Sequence, residues 1–388
     1  MRRVFVAGIG LTRIGEHWEK SLRTLFTEAA LKAVDNAGVK LGDIEALYVS
    51  NMSSGYLQGQ EHLGSLMATW LGIPGVAACK VEAACGSGGV AFHQAFLAIA
   101  SGLYDCVLVG GVEKMTDTMT PEVTAALIMA DDQEYVASIG ATFVGLNALV
   151  YRLYMYKYGV RQEDIALFPV MCHRHAVNAP HAQYRREISV EAVLKSPVIA
   201  DPIRLFESSP IGDGAAAAVL CSEEIAKRLG DDMLVEVVGS AVATDPLTIH
   251  LRDDPTTITA TQKASRKAYR MAGIGPEKID LVEVHDAFSI LGVINLEDLG
   301  FAKKGEGWRL VKEGETEMDG KIPTNTMGGL KARGHPVGAT GIYQICEVVM
   351  QLRDEAGANQ VEGAEYGLAQ NLGGVGSTVA INILRRVK

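Results

Sequence analysis

Short β-branched and apolar runs alternate along the chain with stretches whose apolar positions recur at helical spacing. In the first third the strand-like runs are residues 4–9, 46–50, 79–83 and 106–109, and the helical patterns between them are 22–37, 62–71 and 90–100. Such alternation predicts parallel sheet flanked by helices. The same order resumes after about residue 230, with strands at 234–242, 279–284, 366–370 and 378–384 and helices at 261–272, from Ser289, and at 339–352. Two related halves are therefore expected, 1–230 and 231–388. Residues 114–207 break the rhythm with Pro121, Pro169, Pro180, Pro197 and Pro202. They read as an insertion on the first half, closed by the apolar strand 215–221, long enough to cover a ligand or form a subunit contact. The helix at 90–100 is apolar on more than one face, which predicts a helix sandwiched between two sheets.

Composition narrows the function classes. A chain of 388 residues holds two or three compact units. Its formal net charge of -10 and its few short basic clusters, such as Arg185-Arg186 and Arg385-Arg386, argue against nucleic-acid binding. No apolar run reaches membrane-spanning length and the apolar stretch after Arg3 is too short for a signal peptide, so a cytoplasmic protein without membrane attachment is expected. The cysteines at 79, 85, 106, 172, 221 and 346 are scattered without a CxxC pair, which suggests neither a disulfide framework nor a zinc ribbon.

Four segments carry candidate chemistry. Cys85, in Ala83-Ala84-Cys85-Gly86-Ser87-Gly88-Gly89, sits where a strand passes into the interior helix; helix-start amides favour a thiolate there, and the glycines permit a sharp turn. His285, in His285-Asp286-Ala287-Phe288, follows a strand at its C-terminal end, where ligands bind in α/β sheets. His335 stands among glycines in Gly334-His335-Pro336-Val337-Gly338-Ala339-Thr340-Gly341, an arrangement hard to explain by packing. Asn371-Leu372-Gly373-Gly374-Val375-Gly376-Ser377 is a glycine loop whose amides suit an oxyanion hole. Gly8-Ile9-Gly10 lacks the third glycine of a dinucleotide fingerprint, since position 13 is Arg13. Cys172-His173-Arg174-His175 with His181 lacks a matching ligand set, so no metal is expected. Arg185, Lys331 and Arg333 read as binding groups or solvated charges, the latter favoured.

Together these segments resemble the thiolase superfamily over essentially the whole chain, and most closely its sterol-carrier-protein-type and archaeal acetyl-CoA acetyltransferase branch. The resemblance implies a five-layered αβαβα sandwich of two related halves with an inserted loop domain. It makes Cys85 the nucleophile that takes an acyl group from a coenzyme A thioester, and His335 the base that activates it. His285 and His335 would line the oxyanion hole for the enolate, and the amides of Cys85 and Gly373 would hold the tetrahedral oxyanion. It implies an acetyl-CoA C-acetyltransferase with no permanently bound cofactor, forming a homodimer or tetramer. The step would feed HMG-CoA synthase and the mevalonate route, in complex with that synthase and an OB-fold, zinc-ribbon scaffold protein. Members of the family carry a second acid/base cysteine where this chain has Ala287 or Asn371. Its absence leaves a Cys-His-His set, with His285 or a water it holds as the expected proton acceptor. The alternatives are a ketosynthase-like or other C-acyltransferase, or a catalytically silent lipid-carrier or scaffold homologue.

Overall fold

The computed structural model describes residues 1–230 and 234–387. Its first half is built from β1 (Val4–Leu11), α1 (Leu22–Ala37), β2 (Ala46–Ser50), α2 (Ser54–Leu57), α3 (Leu63–Trp70), β3 (Ala77–Val81), α4 (Ser87–Ala100) and β4 (Cys106–Glu113). The insertion follows with α5 (Thr120–Ile128), α6 (Phe143–Tyr158), α7 (Gln162–Ile165), α8 (Leu167–Ala176), α9 (Val190–Lys195) and a small hairpin of β5 (Val198–Ala200) and β6 (Ile203–Arg204). It is thus largely helical. Strand β7 (Gly214–Ser222) and α10 (Glu223–Leu229) close the half. The second half comprises β8 (Val235–Thr244), α11 (Thr259–Ala272), β9 (Leu281–Glu283), α12 (Ser289–Asp298), α13 (Gly307–Lys312), α14 (Thr340–Leu352), β10 (Tyr366–Gly373) and β11 (Thr378–Arg386). The boundary expected at 230/231 adjoins residues 231–233, which lie outside the described residues.

Nine of the described strands line up in the order β3-β2-β4-β7-β1-β8-β11-β10-β9. The two halves meet at β1 and β8, paired only through Phe5 with Glu236 and Val6 with Val235. The expected parallel sheet is corrected to a mixed one. Pairs β2-β3, β2-β4 and β9-β10 are parallel, whereas β1-β7, β4-β7, β8-β11 and β10-β11 run antiparallel. The reason is the connections: only helical crossovers return a chain parallel, while β10 and β11 join by the tight turn after Gly373 and β7 re-enters from the insertion.

The layers follow from the apolar faces. Helices α1 and α3 pack on the strands before the β1-β8 junction, β1 to β4 and β7, and α11 packs on β8 and β11 beyond it. Helices α4 and α14 touch strands on both sides of that junction and form the central layer, giving five layers in all. Helix α4 is buried except along Val90, His93, Gln94 and Leu97, so its apolar character serves two sheets and leaves one stripe uncovered. The N-terminal turns of α4 and α14 touch backbone to backbone. A Cβ on Gly341 would stand 2.2 Å from Gly89 N, and one on Gly88 2.8 Å from Gly341 N. Gly341→Ala is therefore expected to push the two helix starts apart at a cost of about 1–3 kcal/mol, seen as a lower urea midpoint.

Candidate active site

Those two helix starts define the site. Cys85 lies on the turn between β3 and α4. Ala84 before it adopts a left-handed φ of 52°, a strained conformation for a residue with a Cβ. Local bonds hold the turn: Ser87 Oγ accepts from Ala83 N at 2.8 Å and donates to Ala84 O at 2.5 Å, while Glu82 Oε1 accepts from Ala84 N at 2.6 Å. Backbone packing sets Gly373 against this turn. A Cβ on Gly86 would stand 3.0 Å from Gly373 N, and one on Gly373 3.2 Å from Gly86 N.

His285 follows β9 and is buried. Its main-chain N–H donates to Gln370 Oε1 at 2.8 Å and its carbonyl accepts from Asn295 Nδ2 at 2.9 Å. The Leu372 amide, which can only donate, points at His285 Nδ1 at 3.4 Å. Nδ1 is then the acceptor, so the ring hydrogen of neutral His285 is on Nε2. His335 is set the other way round. Thr340 Oγ1 gives its one hydrogen to Pro336 O at 3.2 Å and accepts from His335 Nδ1 at 2.7 Å, leaving the lone pair on Nε2. Gly334, at φ 114°, makes the bend that aims this loop inward; a side chain there would meet Ile14 at 2.5 Å.

The structure brings Cys85 Sγ and one nitrogen each of His285 and His335 within 4.8 Å of one another, and the two rings meet edge-on with centroids 5.1 Å apart. Among the described residues this trio is also the one His/Cys/Asp/Glu group close enough to hold an ion. Burial, reinforced by the Arg333 charge, pushes His285 down to about 3, and burial with the same charge and the neighbouring imidazole drives His335 well below its ordinary value. Both rings are neutral at physiological pH.

The resting thiolate expected for Cys85 is corrected. Desolvation, followed by the Glu113 carboxylate, pushes the thiol up to about 12. These outweigh the helix-start amides, because Cys85 precedes α4 and shares its surroundings with a buried acid. A sulfur attacking from this position would have to give its proton to a base in the same step. Iodoacetamide labelling of Cys85 is accordingly expected to accelerate about tenfold per pH unit from pH 7 to 10 without a plateau. A plateau near neutrality would mean a preformed thiolate.

Glu113 is a residue that sequence reasoning missed; its one signal is a carboxylate ending the apolar strand β4. It accepts from Asn51 Nδ2 at 2.8 Å, Met52 N and Ser53 N at 3.0 Å and Gly338 N at 2.8 Å, joining the first half to the His335 loop. Thr340 was likewise visible only as a motif letter. Other expectations separate. Lys331 and Arg333 are not solvated charges: Lys331 donates to Ser208 O at 2.7 Å, and fully buried Arg333 pairs with Glu347 at 2.6 Å. Arg185 is exposed. The histidines of the 172–181 segment each have their own partner, His173 on Arg186 O, His175 on Glu317 and His181 on Glu347, while Cys172 faces Asp286.

A thiol beside two neutral imidazoles, set between two α/β halves, is a set of groups suited to covalent acyl transfer. Residues 4–224 match the family model described as thiolase, N-terminal domain, and residues 241–386 match thiolase C-terminal domain-like. The chain belongs to the thiolase family and is an acyltransferase. It is similar to an acetyl-CoA acetyltransferase of Methanothermobacter thermautotrophicus, 49% identical over all of both chains. It is 37% identical to benzoylsuccinyl-CoA thiolase subunit BbsB of Thauera aromatica, over 93% of this chain and 92% of that one. Among solved structures, the Ltp2-ChsH2(DUF35) aldolase superposes with a TM-score of 0.84 at 24% identity, over 99% and 98% of the two chains. The acetyl-CoA acetyltransferase from Syntrophomonas wolfei superposes with a TM-score of 0.75 at 21% identity, over 100% of both. No described helix is long and apolar enough to cross a membrane.

Proposed function

We propose that the protein is an acetyl-CoA C-acetyltransferase that joins two acetyl-CoA molecules into acetoacetyl-CoA and free CoA. The observation that carries this reading is the opposed pair of imidazoles beside one thiol: His335 presents a lone pair and His285 a hydrogen. In the first half-reaction His335 Nε2 takes the Cys85 proton as sulfur attacks the thioester carbonyl. The oxyanion is held by the amides of Cys85 and Gly373, the C–S bond to CoA breaks, and the proton leaves on the CoA thiol. In the second, His335 Nε2 takes an α-proton of a new acetyl-CoA while His285 Nε2–H donates to the enolate oxygen. The α-carbon attacks acetyl-Cys85, the Cys85 thiolate departs, and the proton returns to it. His285 is thus a hydrogen-bond donor and not the base expected from the missing thiol, because its Nδ1 already faces the Leu372 amide.

The test is thiolysis of acetoacetyl-CoA by CoA, with condensation measured in reverse. Turnover together with acetyl trapped on the Cys85 peptide supports the reading, and the absence of both refutes it. The lack of a thiol at Ala287 and Asn371 favours one alternative, a decarboxylating ketosynthase-like reaction, which would need malonyl-CoA beside acetyl-CoA.

The same reading divides the chain at 1–230 and 231–388 and places the product upstream of HMG-CoA synthase, with an OB-fold, zinc-ribbon scaffold as partner. Uphill condensation gives a physical reason for passing product directly to a second enzyme. Comigration of the three proteins on size exclusion would support this assembly. Strand β3 ends the sheet with its outer edge unpaired and alternating exposed residues, which suits a homodimer or tetramer.

A further inference from the structure

Asn371 stands where relatives of this family place a second thiol, and the structure gives its amide three contacts on three different elements. Its Oδ1 accepts from Gly89 N, in the first turn of α4, at 2.9 Å. Its Nδ2 donates to Cys85 O at 3.1 Å and lies 3.3 Å from His285 Nδ1. The orientation of the amide is not free. A backbone N–H on one side requires an acceptor and a backbone carbonyl on the other requires a donor, so NH2 is the end that meets His285. The side chain is buried and closely fitted, since a Cβ on Gly89 would stand 2.8 Å from Asn371 Cβ and one on Gly341 2.4 Å from its Oδ1.

We infer that Asn371 is a positioning residue that ties the nucleophile turn to His285 and, together with the Leu372 amide, keeps the His285 hydrogen on Nε2, facing the enolate. This rests on the acyl-transfer reading above and deepens it. The position has exchanged a group that moves protons for one that fixes where a hydrogen stays, which leaves His335 to carry both proton transfers. A cysteine in its place, with one weak donor, could not make all three bonds at once.

The decisive variant is Asn371→Asp, nearly identical in shape but with a carboxylate oxygen where NH2 now sits. That oxygen accepts from the ring, draws the hydrogen to Nδ1 and strips Nε2 of its donor. The two half-reactions are read separately in the full-length protein: acetylation of Cys85 by acetyl-CoA, by mass spectrometry, and exchange of acetyl-CoA α-hydrogens with D2O. Asn371→Asp also loses the bond to Cys85 O, so some loss of acetylation is expected, but α-exchange and condensation should fall about 100-fold, the loss typical of one oxyanion donor, well beyond the fall in acetylation and with KM nearly unchanged. Asn371→Ser, which keeps a hydroxyl donor, is expected to recover part of the exchange. If Asn371→Asp unfolds, the same comparison is made with Asn371→Ser against Asn371→Ala. Equal loss of acetylation and exchange, or no loss of either, would overturn the inference. A wild-type protein that neither acetylates Cys85 nor exchanges α-hydrogens would instead refute the acyl-transfer reading itself.

Discussion

Cys85→Ala is expected to lower thiolysis and condensation on the order of 10⁴-fold or more, while binding of CoA stays within a fewfold of wild type. The size of the effect follows from the site. In the proposed mechanism both half-reactions pass through the same sulfur, and among the described residues no other thiol joins the two imidazoles. His335→Ala is expected to slow both half-reactions, because the sulfur, held at about 12, has no other lone pair of the required tautomer to receive its proton. His285→Ala should spare acetylation and depress α-exchange. Steady-state kinetics on the three variants, with mass spectrometry of the acetylated peptide, separates these outcomes. Wild-type turnover in Cys85→Ala would remove the covalent mechanism altogether.

Arg333→Met is expected to cost about 3–5 kcal/mol of stability. Arg333 is fully buried, and its Nη1 meets Glu347 Oε2 at 2.6 Å. Glu347 Oε1 meets His181 Nε2 at 2.7 Å, and buried Glu283 is pushed well above the ordinary carboxylate range, by desolvation first and then by Glu347. Removing the guanidinium leaves the Glu347 carboxylate without its cation in a low-dielectric interior. The double variant Arg333→Met/Glu347→Leu should recover much of the loss, since it removes the stranded charge as well. Guanidinium chloride unfolding of the single and double variants is the measurement. A double variant no more stable than Arg333→Met would show that packing of the arginine stem, and not charge, sets the cost. The loss of this cation also lifts the His285 and His335 pKa values toward the ordinary range, because its field is among the causes that hold both down.

Much of this was legible along the chain. Alternating strand and helix periodicity placed most of the strands and helices; Cys85 and His335 stood out because a thiol or imidazole beside several glycines has little packing value, and His285 stood out at the C-terminal end of a strand. Periodicity could not tell parallel from antiparallel neighbours, since strand direction depends on which connection returns from the insertion. Nor could motif letters reveal that Lys331 and Arg333 are interior. A cation's burial depends on partners such as Glu347, which lies fourteen positions away on another element.

The sequence by itself determined which atoms were available for chemistry, because a side chain's functional group belongs to the residue and travels with it. Tertiary structure decided what state those atoms are in: the sulfur protonated, one imidazole donating, the other accepting. Those states depend on burial and on hydrogen-bond partners, Thr340, Leu372, Asn371 and Glu113, that come together only when the two halves close around α4 and α14.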